Sequence, residues 1–575
     1  MALLAGIDAG TTHLKVGFFT EDGTHACVVR TPAPGDLPAL VAAVLAGLAA
    51  CARQAGRGPR AIGIAGMAET GVPLDRAGRP LTPLLWWHDP RAAAEAAALG
   101  RDDAALYAAT GRWADAKAPL AKWLWLRAHR PEVLAAMRWW ASVPDAVAYA
   151  LTGVLRTHAT LAARTLAYDV TERAYHEDLL ALAGLRPDRL PPLAGPTEAV
   201  GGLTARVPGI PPGVPVVIAG HDHAVGAWAA GVRRPGQVAD SMGTAEAVMV
   251  PCGGRPVGAA GLALGVTADP APDGSGTVLV GALPTSGALL DWLLTLLPSP
   301  EPPLPPSETP LPLSEASLPT PEAALPHGET PCPVSAAAFP PPETTLTRPG
   351  TAFPSGETRH LACAASSGTA ATTPLPGAGQ PGAASGDPEG GGGAGGRYGR
   401  VARWLDGVRV PTGVVVEPYL RGRVAPAPDR ARRVTISGLG PEHGPGDLLA
   451  AAVEGACLHV RWITDEVAAL AGVVPGRVVA FGGQARIPLW MRVKAAVTPV
   501  PLDVLRTGDA VCAGAALVAG QAGGSLDDVP VLPAVRHPPD PALDYTSQYA
   551  RFLATARRPG AGPGNGTNTH RSEPA

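Results

Sequence analysis

A turn near the N-terminus has the residue types needed to hold phosphate groups. Gly10, Thr11 and Thr12 separate two apolar stretches, and the chain turns again at Gly23. Because Gly10 places no side chain over the turn, the threonine hydroxyls and neighbouring amide groups can face one anion. Asp8, at the end of the first stretch, supplies a carboxylate suited to Mg²⁺, held through water. The pattern predicts a phosphate cradle on a β-hairpin, with an ordinary Gly-Thr hairpin as the alternative.

A similar turn recurs later in the chain. Gly243 and Thr244 separate the predicted strands 237–241 and 245–250, and this arrangement repeats the opening one. Two such hairpins in one chain could grip a polyphosphate from two domains.

Hydrophobic periodicity predicts the elements that position these turns. Besides the opening strands, strands are expected at 61–65, 72–75, 215–219, 413–416, 477–481 and 500–505, and helices at 37–54, 91–109, 120–140, 224–230, 447–470, 487–497 and 509–520. Residues 298–397 contain long Pro and Gly runs, which predict a disordered low-complexity insertion. The Gly- and Pro-rich tail, 558–575, is also expected to be disordered.

Length and composition limit the class of protein. The 575 residues exceed what one core accommodates, so two or more domains are expected. A net charge of −3 gives no reason to expect binding to nucleic acid or to an anionic membrane. The seven cysteines show no CxxC pair, no basic leader precedes the first strand, and the longest apolar run, 37–51, is too short for a membrane span. These features predict a cytoplasmic protein. Only four lysines occur, which we attribute to coding bias.

The motifs together resemble the FGGY family of carbohydrate kinases. The resemblance lies in the opening run Gly6-Ile7-Asp8-Ala9-Gly10-Thr11-Thr12, and then in Gly66-Met67-Ala68-Glu69-Thr70, Trp87-His88-Asp89-Pro90-Arg91, Gly220-His221-Asp222-His223-Ala224, Met242-Gly243-Thr244 and Phe481-Gly482-Gly483-Gln484. It implies an α/β protein with two actin-like, ribonuclease-H-like ATPase domains and an interdomain cleft. Residues 1–235 would bind the sugar, and residues 236–557 would bind the nucleotide, interrupted by the insertion. The implied activity is ATP-dependent, Mg²⁺-assisted phosphorylation of a ketose or polyol.

The resemblance also implies roles for individual residues. Asp222 would be the catalytic base and Asp8 the Mg²⁺ anchor. The sugar would contact Glu69, Trp87, Asp89, His221 and His223; ATP would contact Gly10, Thr11, Thr12, Lys15, Gly243, Thr244, Gly482, Gly483 and Gln484. Ala68 stands where glycerol kinases carry Arg, which favours xylulose-like or fuculose- and rhamnulose-like ketoses over glycerol.

Several positions have structural alternatives. In-line phosphoryl transfer needs a group that orients the attacking hydroxyl and takes its proton, and Asp222 follows a buried strand as such a base would. The His-Asp-His run could instead bind a metal, or Asp222 could only cap a helix. Glu69 could be a solvated loop carboxylate, and Trp87 could serve core packing.

Two other functions remain open. Departures from the family pattern, among them Ala245 and Arg423, are compatible with a catalytically weak, sugar-responsive binding or regulatory protein that keeps the cleft. An actin-like ATPase that polymerises would leave the His-Asp-His run and the Glu69 loop unexplained. The oligomeric state stays open, with a homodimer as one candidate.

Overall fold

A computed structural model describes residues 2–254, 257–297 and 397–558. The predicted disordered insertion and tail lie outside the described residues, apart from their boundary residues 397 and 558.

The strands of the described residues are, in chain order, β1 (Leu3–Ala9), β2 (His13–Thr20), β3 (His25–Pro32), β4 (Ile62–Gly66), β5 (Gly71–Leu74), β6 (Trp139–Ser142), β7 (Tyr168–Asp169), β8 (Ala174–Tyr175), β9 (Ala199–Gly202), β10 (Pro215–His221), β11 (Gln237–Met242), β12 (Glu246–Gly253), β13 (Thr267–Pro270), β14 (Thr277–Leu283), β15 (Val415–Glu417), β16 (Thr435–Ser437), β17 (Arg477–Gly482), β18 (Leu502–Leu505) and β19 (Ala534–His537).

The helices are α1 (Leu37–Ala55), α2 (Ala93–Leu99), α3 (Asp103–Thr110), α4 (Pro119–His129), α5 (Pro131–Ala136), α6 (Val143–Thr152), α7 (Ala159–Ala162), α8 (Glu177–Leu182), α9 (Asp222–Ala229), α10 (Gly258–Leu264), α11 (Ser286–Leu296), α12 (Arg397–Leu405), α13 (Pro445–Ala471), α14 (Pro488–Val497), α15 (Ala510–Ala522) and α16 (Thr546–Ala556). Short 3-10 turns lie at Pro90–Ala92, Gly100–Asp102, Ala163–Thr165, Pro187–Arg189 and Gly483–Arg486.

The first sheet has six strands in the order β3-β2-β1-β4-β10-β9. Its centre is parallel, with β4 pairing with both β1 and β10, and its edges are antiparallel. Strand β1 is buried along its whole length, as expected for a central parallel strand covered on both faces. The β1–β2 hairpin is the first predicted phosphate turn.

The second sheet has seven strands in the order β13-β14-β12-β11-β17-β18-β19. Strands β11, β17 and β18 run parallel, and the antiparallel β11–β12 hairpin is the second predicted phosphate turn. Helices α13 and α14 pack on one face, where Trp490 and Leu449 are fully buried in the core.

Helices α9 and α15 belong to a core that both sheets share. Helix α15 packs on β1, β4 and β10, while α9 packs on β10 and β11. The close contact depends on Gly6, because a Cβ atom there would lie 1.8 Å from the carbonyl oxygen of Cys512 in α15. The small residues of α15 therefore hold the parallel strands of the first sheet near those of the second.

The structure differs from the predicted elements in two helical regions. The predicted helix at 120–140 is divided at Arg130 into α4 and α5, and after α5 ends at Ala136, β6 follows and pairs with β5. Here the aromatic, strand-favouring pair Trp139 and Trp140 outweighs the helical pattern. The predicted helix at 91–109 is split into α2 and α3 by a 3-10 turn that starts at Gly100.

Helix α1 is longer than the apolar run on which the prediction about membranes was based. It has 19 residues and a mean hydropathy of 1.6 over its most apolar window, so by length and composition it could cross a membrane. In the fold it packs on β2 and β3 through Leu40, Val44 and Leu48, which are buried. Core helices of globular domains have the same length and composition.

Candidate functional site

The parallel strands of the first sheet bring two acidic residues to one edge. Asp8 near the end of β1 pairs in register with Ala65 of β4, which pairs with Gly220 of β10. Asp222 follows β10 directly and starts α9. Carboxyl ends of parallel strands are the usual place for ligands in α/β proteins. The two carboxylates also influence each other, because Asp222 contributes to a raised pKa at Asp8.

Two histidines hold the Asp222 carboxylate. His221 Nε2 lies 3.0 Å from Asp222 Oδ1, and the backbone N–H of His223 donates to the same oxygen at 2.6 Å. Burial alone would raise the pKa of Asp222, but the charges of His223 and His221 and their hydrogen bonds lower it below its usual range. The side chain keeps 23 % of its surface exposed. Asp222 is therefore an ionised carboxylate with access to a ligand.

His221, Asp222 and His223, the residues of the predicted alternative metal site, lie close enough together to bind one ion, but both histidines already have other partners. One ligand atom each of His221, Asp222 and His223 lies within 4.8 Å of the others. However, His221 Nε2 contacts Asp222, and His223 Nδ1 lies 2.9 Å from the hydroxyl of Ser241. Ser241 immediately precedes the second turn, so His223 links the Asp222 segment to that turn.

Asp8 has the surroundings of a cation site. Its side chain is 9 % exposed, and Lys15 Nζ lies 3.3 Å from its Oδ2 and 3.4 Å from Asp509 Oδ1. Burial raises the pKa of Asp8. The positive charge of Lys15 lowers this pKa, and the negative charge of Asp222 raises it further. A divalent cation between the carboxylates would offset their repulsion, and carboxylate oxygens are suitable ligands for Mg²⁺. The residues present therefore fit the predicted ion.

The first turn is braced by a tryptophan. The Gly10 amide donates to the His13 carbonyl at 3.2 Å and closes the turn. Trp87 Nε1 donates to the Thr11 hydroxyl at 2.9 Å, and the Trp87 amide donates to the Thr70 hydroxyl at 3.0 Å. Trp87 thus joins this turn to the Glu69–Thr70 loop, and it also packs against the core of the first sheet, as the core-packing alternative predicted.

The second turn and the β17 end form one cluster. The Gly243 amide donates to the Ala245 carbonyl at 2.9 Å, and the Gln484 amide donates to the Gly243 carbonyl. Gly482 has φ +120°, and a Cβ atom there would lie 2.1 Å from the Met242 carbonyl oxygen, so only glycine fits. Gly483 starts the following 3-10 turn, and the side chain of Thr244 is exposed. The predicted ATP residues of this half therefore lie together.

A buried charged cluster underlies the second turn. Lys494 of α14 is 3 % exposed and pairs with both Asp240 of β11 and Glu246 of β12. The Ser286 hydroxyl donates to Glu246 Oε2 at 2.5 Å. These residues tie both strands of the hairpin to α11 and α14, which fixes the turn that they flank.

Glu69 is not a solvated loop residue. Its side chain is 10 % exposed, and Arg164 Nη1 lies 3.2 Å from Oε1. Burial would raise its pKa, but Arg164, Lys117 and other cations lower it to about 2. Its backbone has φ +60°, a left-handed conformation that costs a non-glycine residue about 1–3 kcal/mol and is found most often at functional sites.

A chain of ion pairs runs from Glu69 to the second sheet. Arg164 also pairs with Asp269 Oδ2 of β13 at 2.8 Å, and Arg112 pairs with Asp269 Oδ1. Burial would raise the pKa of Asp269, but the two guanidinium groups lower it to about 2. The sequence predicted none of the three residues, Arg164, Asp269 and Arg112, that continue this chain from Glu69.

Asp89, another predicted sugar contact, has hydrogen-bond partners close by in the sequence. Its carboxylate accepts from Arg91 Nε at 2.6 Å and caps the turn Pro90–Ala92. Among the described residues no hydrogen bond joins it to Glu69 or Asp222. A contact between Asp89 and the sugar stays a prediction.

Some of the residues that the sequence analysis did not assign to the site are lysines, which are rare in this chain. Of the four lysines, Lys122 and Lys494 are buried, and Lys15 and Lys117 are half-buried. None of the four lysines is an exposed surface residue. The attribution of the four lysines to coding bias alone was therefore incomplete.

Comparisons with known proteins show similarity to one family. Family models for the N-terminal and C-terminal domains of the FGGY family of carbohydrate kinases match residues 3–229 and 393–523. L-fuculokinase from Escherichia coli K12 is 28 % identical over 262 residues, 42 % of this chain and 55 % of that protein. Xylulose kinase from Klebsiella pneumoniae is 29 % identical over 253 residues, 42 % of this chain and 52 % of that protein. The aligned region thus spans about half the length of these curated relatives.

A solved structure extends the similarity of fold to nearly the whole chain. Xylulose kinase from Rhodospirillum rubrum superposes with a TM-score of 0.69 over 96 % of this chain and 98 % of that one, at 24 % identity. The predicted fold, an α/β protein with two actin-like domains, is confirmed by this similarity.

Proposed function

This chain belongs to the FGGY family of carbohydrate kinases, and we propose that it transfers the γ-phosphoryl group of ATP to a hydroxyl of a ketose or polyol. Pentulose and deoxyhexulose sugars are favoured over glycerol, because Ala68 supplies no guanidinium for a polyol. In this proposal residues 1–235 bind the sugar and residues 236–557 bind the nucleotide. A cytoplasmic location and a homodimer stay predictions.

The observation that carries the proposal is the placement of Asp222. Its carboxylate lies at the carboxyl end of β10, keeps partial exposure and is held ionised by His221 and His223. His223 connects it to Ser241, beside the second phosphate turn. A base for phosphoryl transfer needs this combination of charge, fixed orientation and proximity to phosphate.

Asp222 would orient the attacking sugar hydroxyl and take its proton as the new O–P bond forms. Burial and Arg164 lower the pKa of His221, and its Nε2, 3.0 Å from Asp222 Oδ1, can donate a hydrogen bond to that carboxylate. That hydrogen bond fixes the rotamer of the carboxylate. The other carboxylate oxygen is then directed at the substrate.

The phosphate groups would lie between the two turns. Gly10, Thr11 and Thr12 supply donors from the first turn, and Gly243 and Thr244 supply them from the second. Asp8 would hold Mg²⁺, and that ion would neutralise negative charge on the phosphate groups. Lys15 adds a positive charge on the same side, and Gln484 with its two preceding glycines would contact the nucleoside.

Glu69 would accept hydrogen bonds from sugar hydroxyls. Arg164 fixes one of its carboxylate oxygens and, with other cations, lowers the pKa of Glu69 to about 2, so the carboxylate is ionised at pH 7 and its other oxygen is oriented. A carboxylate held in this way distinguishes sugars by the direction of a hydroxyl group.

The catalytically weak, regulatory alternative is not favoured by the family matches. It rested on departures such as Ala245, which removes a hydroxyl, and Arg423. Arg423 Nε donates to the Ala427 carbonyl at 2.7 Å, and its Nη1 donates to the carbonyl of Ala556 at the end of α16. This departure is therefore explained by local structure rather than by loss of catalysis.

The proposal is tested by a coupled assay of ADP release against a panel of pentuloses, deoxyhexuloses and polyols. We expect ADP release that depends on one class of ketose and exceeds the rate without sugar. Binding of a sugar in calorimetry with no sugar-dependent ADP release would favour the regulatory alternative. ADP release that no sugar changes would contradict both.

A further inference from the structure

Lys122 is a buried cation whose contacts the proposed reaction does not yet use. It lies in the first half of α4 and is 0 % exposed. Its ammonium donates to the Glu69 carbonyl at 2.8 Å and to the Leu85 carbonyl at 3.2 Å. These carbonyls belong to two separate loops of the candidate sugar site.

The burial of this ammonium is costly. An ammonium group loses its hydration when it is buried, and burial lowers the pKa of Lys122 to about 8, although the charges of Glu69 and Asp89 oppose this shift. Within residues 2–254, 257–297 and 397–558, no carboxylate forms an ion pair with Nζ. A methionine would fill the same space without this cost, so packing alone does not explain a lysine here.

The first carbonyl belongs to the residue with the strained backbone. Glu69 adopts φ +60°, and in this conformation its carbonyl accepts from Nζ while its side chain pairs with Arg164. A hydrogen bond from a charged donor is stronger than one from a neutral donor. The Lys122 ammonium therefore stabilises the left-handed conformation that holds the Glu69 carboxylate in place.

The second carbonyl belongs to the segment that leads to Trp87. Leu85 exchanges backbone hydrogen bonds with Gly71, at 2.9 and 3.3 Å. The Lys122 ammonium thus connects the paired Leu85 and Gly71 backbones to the Glu69 loop. Two residues further on, Trp87 reaches the phosphate turn through Thr11.

We propose that Lys122 is a positioning residue that fixes the Glu69 carboxylate and the Trp87 segment relative to each other for sugar binding. This inference rests on the proposed function of the site. Lys122 acts through the backbone of Glu69 and does not itself touch the sugar. Its loss should therefore weaken sugar binding selectively and leave the nucleotide half unchanged.

The test compares Lys122→Met with Arg127→Met as a matched control. Arg127 lies on the same helix, and its guanidinium also donates to a backbone carbonyl, that of Leu182 at 2.5 Å, but away from the site. Sugar KM, ATP KM and calorimetric sugar affinity are measured on the full chain with the best sugar of the panel. For Lys122→Met we expect the sugar KM and the sugar Kd to rise by about 10- to 100-fold, the effect of losing a hydrogen bond from a charged donor. ATP KM should stay within about twofold, and Arg127→Met should change neither value.

A second comparison separates positioning from general damage. In a Glu69→Ala background, Lys122→Met should raise the sugar KM by less than about threefold, because the carboxylate that it positions is gone. Lys122→Arg, which keeps a cation within reach of both carbonyls, should restore part of the affinity. An equal penalty in both backgrounds, or an unchanged sugar KM, overturns the inference.

A second variant covers the case in which Lys122→Met does not fold. Lys122→Gln keeps one amide donor without charge, and the same rise in sugar KM is expected.

Failure of the proposed activity can be told apart from failure of this inference. If the wild-type protein binds a sugar but releases no sugar-dependent ADP, the proposed activity fails. The affinities of the same variants then decide the positioning role, because a wild-type affinity in Lys122→Met overturns it.

Discussion

The ion pairs at Asp269 provide a prediction about stability whose magnitude follows from the structure. Asp269 lies on β13, is buried, and accepts from both Arg112 and Arg164. The substitution Asp269→Asn keeps the shape and removes the charge. Two guanidinium groups that are only 6 % and 11 % exposed then lack their common counter-ion.

The pKa of Asp269 and the usual cost of breaking a buried ion pair together give the expected loss in the free energy of unfolding. The pKa of Asp269 falls from 3.8 to about 2, which corresponds to roughly 2 kcal/mol of favourable interaction with the ionised form. Breaking a buried ion pair by removal of one partner typically costs about 3–5 kcal/mol. We therefore expect Asp269→Asn to lower the free energy of unfolding by about 3 kcal/mol at pH 7.

The dependence on pH has a defined sign. The folded-state pKa of Asp269 is lower than its unfolded value, so its charge stabilises the fold above about pH 4 and loses this effect as the pH falls towards 2. The difference between wild type and Asp269→Asn should therefore be full at pH 7 and should narrow below about pH 4.

Urea unfolding, followed by tryptophan fluorescence, measures this difference. Glu132→Gln is the control, since Glu132 and its partner Arg130 are 63 % and 51 % exposed, and its midpoint should match that of wild type. An Asp269→Asn midpoint equal to that of wild type at pH 7 would refute the reasoning, because it would mean that both arginines find water or other partners.

Two further predictions concern the substrate contacts, both measured by steady-state kinetics. Glu69→Gln removes the charge that Arg164 orients, so the sugar KM should rise by about tenfold or more with little change in ATP KM; an unchanged sugar KM would remove Glu69 from the sugar site. Trp87→Phe keeps an aromatic ring but loses the indole N–H that donates to Thr11. It should raise the ATP KM by about 3- to 10-fold, the worth of one hydrogen bond, and an effect on the sugar KM alone would support stacking instead.

The parts of the site that could be predicted from the sequence are those set by local patterns. Both Gly-Thr hairpin turns, and the place of Asp222 at a strand-to-helix junction, follow from apolar stretches bounded by glycines. The strand that replaces the end of the predicted helix at 120–140 was missed because β6 depends on its partner β5, which is distant in sequence.

Contacts between distant residues could not be read from the sequence. Arg112 and Asp269 are 157 residues apart, and Trp87 and Thr11 are 76 apart. Nothing in the local sequence around Arg164 distinguishes it from a surface arginine. These side chains become buried and paired only when both sheets are assembled. The rarity of lysine, in contrast, is visible in the sequence itself.

The most direct test of the account is the turnover of Asp222→Asn. The substitution preserves shape and removes the base, so kcat should fall by about 10²–10⁴-fold, while ATP affinity and the unfolding midpoint stay near those of wild type. A variant that keeps more than about a tenth of wild-type turnover would contradict the assignment, since a general base contributes at least about 100-fold.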